Sequence, residues 1–354
     1  SEYCLEQDAF QGNVVETSPR ETERGSEPGA VALFWRETIT LFKKIVAHIG
    51  MRHDWHWLKV TDHLNQATSF TDRWRDSSVS TGVTLKPVEQ VDIFGNYSQG
   101  FRVPAISDIA PFSGTFSSNL LPEESASYEV GTRLRYQDLA QAKFSYFLID
   151  LENEMVLDFT SITAQATNGQ SVNLGKSRRT GIETRLDLNP IPEIDGYGSF
   201  TWMKGYVREE GPVSSGGPVD GRSLGQIPQN RFTLGLALTP FHRLGKPYDG
   251  LRFSLAGVFT GKQHFLNYES AEEANLNAGG HFVKPYSVWN AMISFEWKRK
   301  KVYFKVHNVF GAKYYSEAIA AQVFQQTVVP PGRYLFVTPG APREYLLGAT
   351  WEFD

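Results

Sequence analysis

Strict alternation of apolar and polar residues runs through this chain in long segments, and it limits the possible folds more than any other feature. Across 124–136, Ala126, Tyr128, Val130, Thr132, Leu134 and Tyr136 share one side, while Ser127, Glu129, Gly131, Arg133 and Arg135 share the other. Across 180–188, Ile182, Thr184, Leu186 and Leu188 oppose Gly181, Glu183, Arg185 and Asp187. Near the end, Tyr345, Leu347, Ala349, Trp351 and Phe353 oppose Glu344, Leu346, Gly348, Thr350 and Glu352. A period of two sends such sets to opposite faces of a strand, whereas a helix would scatter them around its axis. One face is apolar, and the other carries charges of both signs.

The alternation predicts about thirteen strands, near 30–39, 43–57, 77–86, 91–102, 124–137, 141–156, 172–189, 196–209, 229–239, 250–264, 282–298, 301–315 and 342–353. Their connections are expected to alternate between short and long. Thr40–Phe42, Pro87–Gln90, Asp138–Ala140 and the basic run from Lys298 to Lys301 are short. The stretches 58–76, 103–123, 157–171, 210–228, 265–281 and 316–341 are long. Short turns at one end with long loops at the other are the signature of an outer-membrane barrel. A soluble sandwich or propeller has no physical reason to sort its loops this way.

Composition agrees. No stretch approaches the roughly 20 apolar residues of a spanning helix, which excludes a helical membrane protein but leaves barrels open, because alternating strands hide their hydrophobicity from a window average. Aromatics make up 13% of residues. Trp35, Trp55, Trp57, Trp289, Trp297, Trp351 and Phe353 are expected near strand ends, where they would form two interfacial girdles. A net charge of −4 argues against a nucleic-acid partner, which needs a basic field. Cys4 is the single cysteine, so neither an intrachain disulfide nor a cysteine zinc cluster can form. The opening SEYCLEQDAF lacks the basic start and apolar core of a secretory signal, so the chain is expected to be mature or to lack its beginning.

Placing the last strand inward puts the short turns in the periplasm and the long loops outside. Residues 1–29, with the polar ETERGSEPG, are then expected to be an extracellular loop remnant, and 30–354 the barrel. An odd strand count leaves two open edges, and unpaired backbone groups in lipid cost several kcal/mol each. The expectation is therefore a fragment, or a sheet that closes with strain or with a partner.

From about Ala30 onward the chain resembles TonB-dependent outer-membrane receptors. The carrying motifs are ALFWRETITLF and IGMRHDW, YSQGFRVPAISDIAP, LLPEESASYEVGTRLRY, GKSRRTGIETRLDLNP, IPQNRFTLGL, KVHNVFGAKYY and PGAPREYLLGATWEF. The resemblance implies a barrel of about 22 strands with a plug in its lumen, located in the bacterial outer membrane and energised through a TonB box. This chain would supply the last thirteen or so strands. The plug, TonB box and early strands have no counterpart here; a plug of roughly 150 residues and about nine more strands, by the resemblance, are expected upstream. Trp351 and Phe353 fit the terminal aromatic signal read by the barrel-assembly machinery in this family, although Asp354 follows them.

Haem receptors of the family place an axial histidine between segments resembling GFRVP and LLPEES. This chain has no histidine between Gly100 and Ser125, and PGAPREYLLG is more similar to ferric-siderophore and ferric-citrate receptors. The expected ligand is an anionic ferric chelate, recognised by arginines and hydrogen-bond donors. Arg102 and Arg179 lead the candidates, with Arg178 and Arg231; Arg208 and Lys262 also fall at extracellular strand ends, and Arg222, Arg333 and Arg343 in or beside loops. The bland reading gives these groups loop carboxylates such as Glu209, Glu210 and Glu273, or lipopolysaccharide phosphates, as partners. Glu129, Arg133, Arg135, Glu183, Arg185 and Asp187 are expected to line the lumen, touching a plug or pairing among themselves.

Other motifs carry less. Gly221–Gly225 fits G-x-S-x-G around Ser223, but no helical segment follows to make a nucleophile elbow. His53 and His56 alternate to opposite faces, and His48, Asp54 and His56 are spread along one, so no metal site is expected. No cofactor is implied. A passive or inert truncated pore and a barrel hydrolase are the rival functions, and a receptor, not an enzyme, is expected.

Overall fold

The computed structural model describes residues 6–7, 14–15, 24–63, 69–109, 120–158, 170–209, 223–246, 248–264, 282–323 and 332–352. Thirteen strands form one antiparallel sheet in strict chain order. They are β1 (Arg24–Leu41), β2 (Ile45–Asp62), β3 (Phe70–Val88), β4 (Val91–Arg102), β5 (Glu123–Tyr136), β6 (Ala140–Asp158) and β7 (Gln170–Ile191). The series continues with β8 (Ile194–Glu209), β9 (Asn230–Leu238), β10 (Leu251–Thr260), β11 (Tyr286–Trp297), β12 (Lys300–His307) and β13 (Glu344–Trp351). Each strand pairs with the one before and the one after, leaving β1 and β13 as the two edges. This is the meander of an up-and-down barrel wall. All thirteen expected strands are present, with β1 starting inside the 1–29 stretch, at Arg24.

Register shows how alternation becomes two chemical faces. One ladder row runs Leu41, Ile45, Leu85, Ile93, Thr132, Phe144, Thr184, Phe200, Phe232 and Phe259 across ten strands. The next row, on the opposite face, reads Val46, Thr84, Phe94, Gly131, Ser145, Glu183, Thr201, Arg231 and Thr260. The first face carries nearly all the exposed large hydrophobics of the sheet, among them Met51 at 54% exposure and Leu347 at 74%. So much exposed apolar surface in register has one stable solvent, the hydrocarbon of a membrane. Glu37 on edge strand β1 interrupts the band opposite Ile49.

The turns at one end are tight. Both central residues of the Leu41–Lys44 turn have positive φ (Phe42 52°, Lys43 57°), and the Lys44 amide donates to the Leu41 carbonyl at 3.0 Å. That is the mirror-image turn whose twist matches paired strands. The Thr239–Gly250 connection breaks the expected rule of short turns at this end: it carries two single-turn 3-10 segments, His242–Leu244 and Tyr248–Gly250.

At the other end the strands run further than alternation alone predicts. Most of the expected 58–76 loop is strand, because β2 continues to Asp62 and β3 begins at Phe70. Here the apolar side inverts: Leu58 and Val60, on the polar face of the sheet, are 5% and 1% exposed and pack with Ile109 of the short helix Ile106–Ile109. Val172, Leu174, Val207 and Leu224 form a second such cluster, with Ile227 against it. Three expected strands are shorter than predicted, β10 stopping at Thr260, β11 starting at Tyr286 and β12 stopping at His307, since the chain there forms small hairpins. Gln263–His264 pairs with Phe282–Val283, and Tyr315–Val323 pairs with Gly332–Pro339. Val283 and Ala318 bury together between the hairpins, and the Gln263 amide donates to the Ser316 carbonyl at 3.0 Å.

Asn308 anchors this assembly. Its side chain is 2% exposed and its φ is 50°, a left-handed conformation that asparagine tolerates. Its Nδ2 donates to the carbonyls of Ala312 (2.9 Å) and Ala341 (3.1 Å), its Oδ1 accepts from the Ala312 amide (2.8 Å), and its own amide donates to Asn290 Oδ1 (3.0 Å).

Candidate functional site

The polar face of the sheet holds the expected lumen charges in a cross-strand network. Glu129 accepts from Lys143 (2.8 Å) and Asn96 (3.3 Å). Arg135 clamps Asp92 with two bonds (2.8 and 2.9 Å), and Arg185 grips Asp187 two residues along its own strand (2.6 and 2.8 Å). Arg133 lies over the Phe94 ring at 4.3 Å, and Phe94 fills the space that a side chain at Gly131 would occupy. Glu183 is exposed on the same face. Register and period two put all six expected residues here.

The candidate ligand arginines divide by face. Arg102 points to the polar side, donates twice to Glu123 (2.7 and 3.1 Å) and once to Asp108 (3.1 Å), and stays about half exposed (48%). Arg179 is on the same side but more enclosed; it binds Glu154 at 2.5 and 3.3 Å, and Glu154 also accepts from Ser177. Arg231 opens β9 on this face, exposed and across from Thr201 and Thr260. Arg178 is on the opposite, apolar face, held by Asp150 at 2.6 and 2.7 Å, with Arg208 reaching the same carboxylate at 3.4 Å. Adjacent residues of a strand point oppositely, so Arg178 and Arg179 cannot address one ligand from the same wall. Lys262 lies 4.0 Å from the Phe282 ring centroid, and Arg343 is exposed beside Gly311. Arg222, Glu210, Glu273, Phe353 and the side chain of Arg333 lie outside the described residues.

One feature of this wall was missed in the sequence. Arg52 chelates Asp54, 1% exposed, through bonds of 2.7 to 3.0 Å, with His56 at 3.7 Å. The i, i+2 spacing of Arg52 and Asp54 on a strand could have revealed this pair, as it does for Arg185 and Asp187.

The other motifs fall where alternation places them. His53 turns to the apolar face, its Nδ1 2.7 Å from Ser77 Oγ, away from His56. Trp55 and Trp57, expected at a strand end, lie in the loop-side half of β2 because the strand continues to Asp62, whereas Trp297 and Trp351 lie at the turn ends of β11 and β13. Trp35, expected at a strand end, lies within β1 opposite Met51. Ser223 forms a backbone bridge with Tyr206, Leu224 is buried, and the chain turns at Gln226 (φ 58°) before β9. The residues directly after Ser223 lead into strand β9 and not into a helix, so the strand–turn–helix context of a nucleophile elbow is not met here.

Comparisons with known proteins agree with this geometry. A family model described as "TonB dependent receptor-like, beta-barrel" matches residues 6–309. The probable TonB-dependent receptor BfrD of Bordetella pertussis is 23% identical over 263 residues, covering 73% of this chain and 32% of that protein. A hemin receptor of Yersinia pestis is 25% identical over 162 residues, covering 40% of this chain and 22% of the relative. The crystal structure of the ferric citrate transporter FecA superposes with a TM-score of 0.67 at 19% identity, covering 95% of this chain and 47% of that one. The chain thus spans about a third of the curated relative BfrD and about half of the FecA structure.

Proposed function

This chain belongs to the TonB-dependent receptor family of outer-membrane β-barrels, and from that premise we propose that it forms the receptor wall through which a ferric chelate of the siderophore or citrate type is captured. Members of this family serve iron, siderophore and haem uptake rather than catalysis. The observation that carries the finer reading is the polar-face rim of half-exposed Arg102 and exposed Arg231, with no histidine between Gly100 and Ser125 to ligate haem iron. Arg102 already meets carboxylates in a partly exposed pair. Half of its guanidinium surface stays open, so an anionic chelate can add to it beside Glu123 or exchange with Asp108. Arg179 is enclosed with Glu154 and Ser177 and acts as a brace for that rim.

In this reading the lumen charges from Glu129 to Asp187 seat a plug, TonB acts through that plug, and further strands complete the wall beside β1 and β13. The test uses the receptor as the cell makes it, purified in detergent. Saturable binding of ferric citrate or a ferric siderophore is expected, weakened about tenfold by Arg231→Ala combined with Arg102→Ala, the loss of charged hydrogen bonds. Saturable haemin binding with a shifted Soret band, in place of chelate binding, would overturn the ligand class. Ion conductance with no saturable ligand would favour a passive pore.

A further inference from the structure

On the outer face, the level at which apolar residues give way to charge marks the edge of the hydrocarbon. From Ile45 to Trp57 the outward side of β2 is Ile45, Ala47, Ile49, Met51, His53, Trp55 and Trp57. That run is about 40 Å along a strand and about 30 Å along the membrane normal at a tilt of about 40°. Trp55 and Trp57 therefore sit at the headgroup level of the loop-side leaflet. Their cross-strand partners are Arg75 and Arg73, and Lys59 follows on the same side opposite Thr71. Trp57 is fixed there by its neighbour: its indole lies over Gly29 of β1, in space that any side chain at that position would fill.

The other described cations of this tier are already occupied. Arg178 and Arg208 share Asp150, Lys176 meets Glu209 (3.2 Å) and Glu152 (3.6 Å), Lys59 faces Glu27 at 3.4 Å, and Lys204 lies over the Tyr206 ring at 5.3 Å. Arg73 and Arg75 are exposed and have no carboxylate partner among the described residues. Two residues apart on one strand, their Cα atoms are about 7 Å apart on the same face. Two guanidinium groups with no carboxylate partner among the described residues, at a lipid interface and flanked by interfacial tryptophans, match a phosphate whose alkyl chains lie below it.

We propose that Arg73 and Arg75, with Trp55 and Trp57, form a binding site for the phosphorylated headgroup of an outer-leaflet glycolipid. The site faces the membrane, on the opposite side of the wall from Arg102 and Arg231, so it does not depend on which chelate the receptor takes.

The test measures glycolipid retained by the full receptor after extraction, by mass spectrometry and phosphate assay, for wild type, Arg73→Ala/Arg75→Ala and Arg73→Lys/Arg75→Lys. Heat-modifiable gel mobility selects folded protein in each case. The alanine pair is expected to retain several-fold less phosphorylated glycolipid and the lysine pair to recover part of it, while chelate binding stays unchanged. Enzymatically dephosphorylated glycolipid should be retained no better by wild type than by the alanine pair. Equal retention by wild type and the alanine pair overturns the site. Displacement of the glycolipid by millimolar inorganic phosphate would make it a free-phosphate site instead.

Discussion

The two halves of strand β2 obey opposite rules. Below Trp57 the outward residues are apolar and exposed, as with Met51, and the inward ones are polar, as with Asp54. Above it, Leu58 and Val60 point inward and are buried, while the outward positions are Lys59 and Thr61. On β7 the exposed Leu186 and Leu188 contrast with the buried Val172 and Leu174 of the same phase, and between them the ladder is interrupted where Asn153 on the neighbouring strand takes a φ of 55°. Along β2 the backbone and the alternation do not change; the surroundings do. Lipid draws apolar side chains outward, and once the strand leaves the bilayer water drives them inward onto loop segments. A leucine in the upper half is therefore held by packing, whereas one in the lower half is held by solvent.

That contrast can be broken in graded steps. Leu174→Ala empties a fully buried position and is expected to destabilise the folded receptor by about 2–5 kcal/mol, seen as a lower urea midpoint in micelles. Leu234→Ala on the outer face leaves no cavity and should cost clearly less; equal losses would mean the outer face is also packed. Leu234→Arg, at mid-height of the lipid band, is expected to cost about 2–4 kcal/mol, and Ser77→Arg, at the charged tier, about 0–1 kcal/mol. Equal penalties would remove the membrane edge from where the inversion places it.

The smallest effect concerns the upper half alone. Burial, helped by nearby Lys262, holds the His264 imidazole below its ordinary value. The folded hairpin then binds fewer protons than the unfolded chain, so its stability is present above about pH 6.5 and declines as pH falls towards the lowered folded value. Once corrected for the intrinsic pH dependence of amide exchange, protection at Gln263–His264 and Phe282–Val283 should be lower at pH 5 than at pH 8, and His264→Gln should flatten that response.

The lower half was legible in the sequence because lipid enforces a uniform period: Tyr128, Val130 and Leu134 alternate as cleanly in the structure as in the residue order. The upper half was not. Leu58 and Val60 break phase with Trp57, a change that looks like the start of a loop when each window is read for one apolar side. The hairpin of Tyr315–Val323 with Gly332–Pro339 lies in a stretch whose pairing depends on contacts between loops, such as Val283 with Ala318, and no local pattern specifies those. Of the ligand candidates, Arg102, Arg179 and Arg231 could be placed on one wall by counting. Counting also separates Arg178 from Arg179, but nothing in the sequence shows that Asp150 holds the one and Glu154 the other.

Asn308 gives the upper half an unusual chemical vulnerability. Its carboxamide fastens the end of β12, the Ala312 segment and the entry to β13 at one point, as donor to two carbonyls and acceptor from one amide. Slow hydrolysis of that amide to a carboxylate, as happens when proteins age, would set a negative oxygen against two carbonyl oxygens that need hydrogens. One such event, invisible to the membrane-embedded rows, would unlatch the hairpin above them.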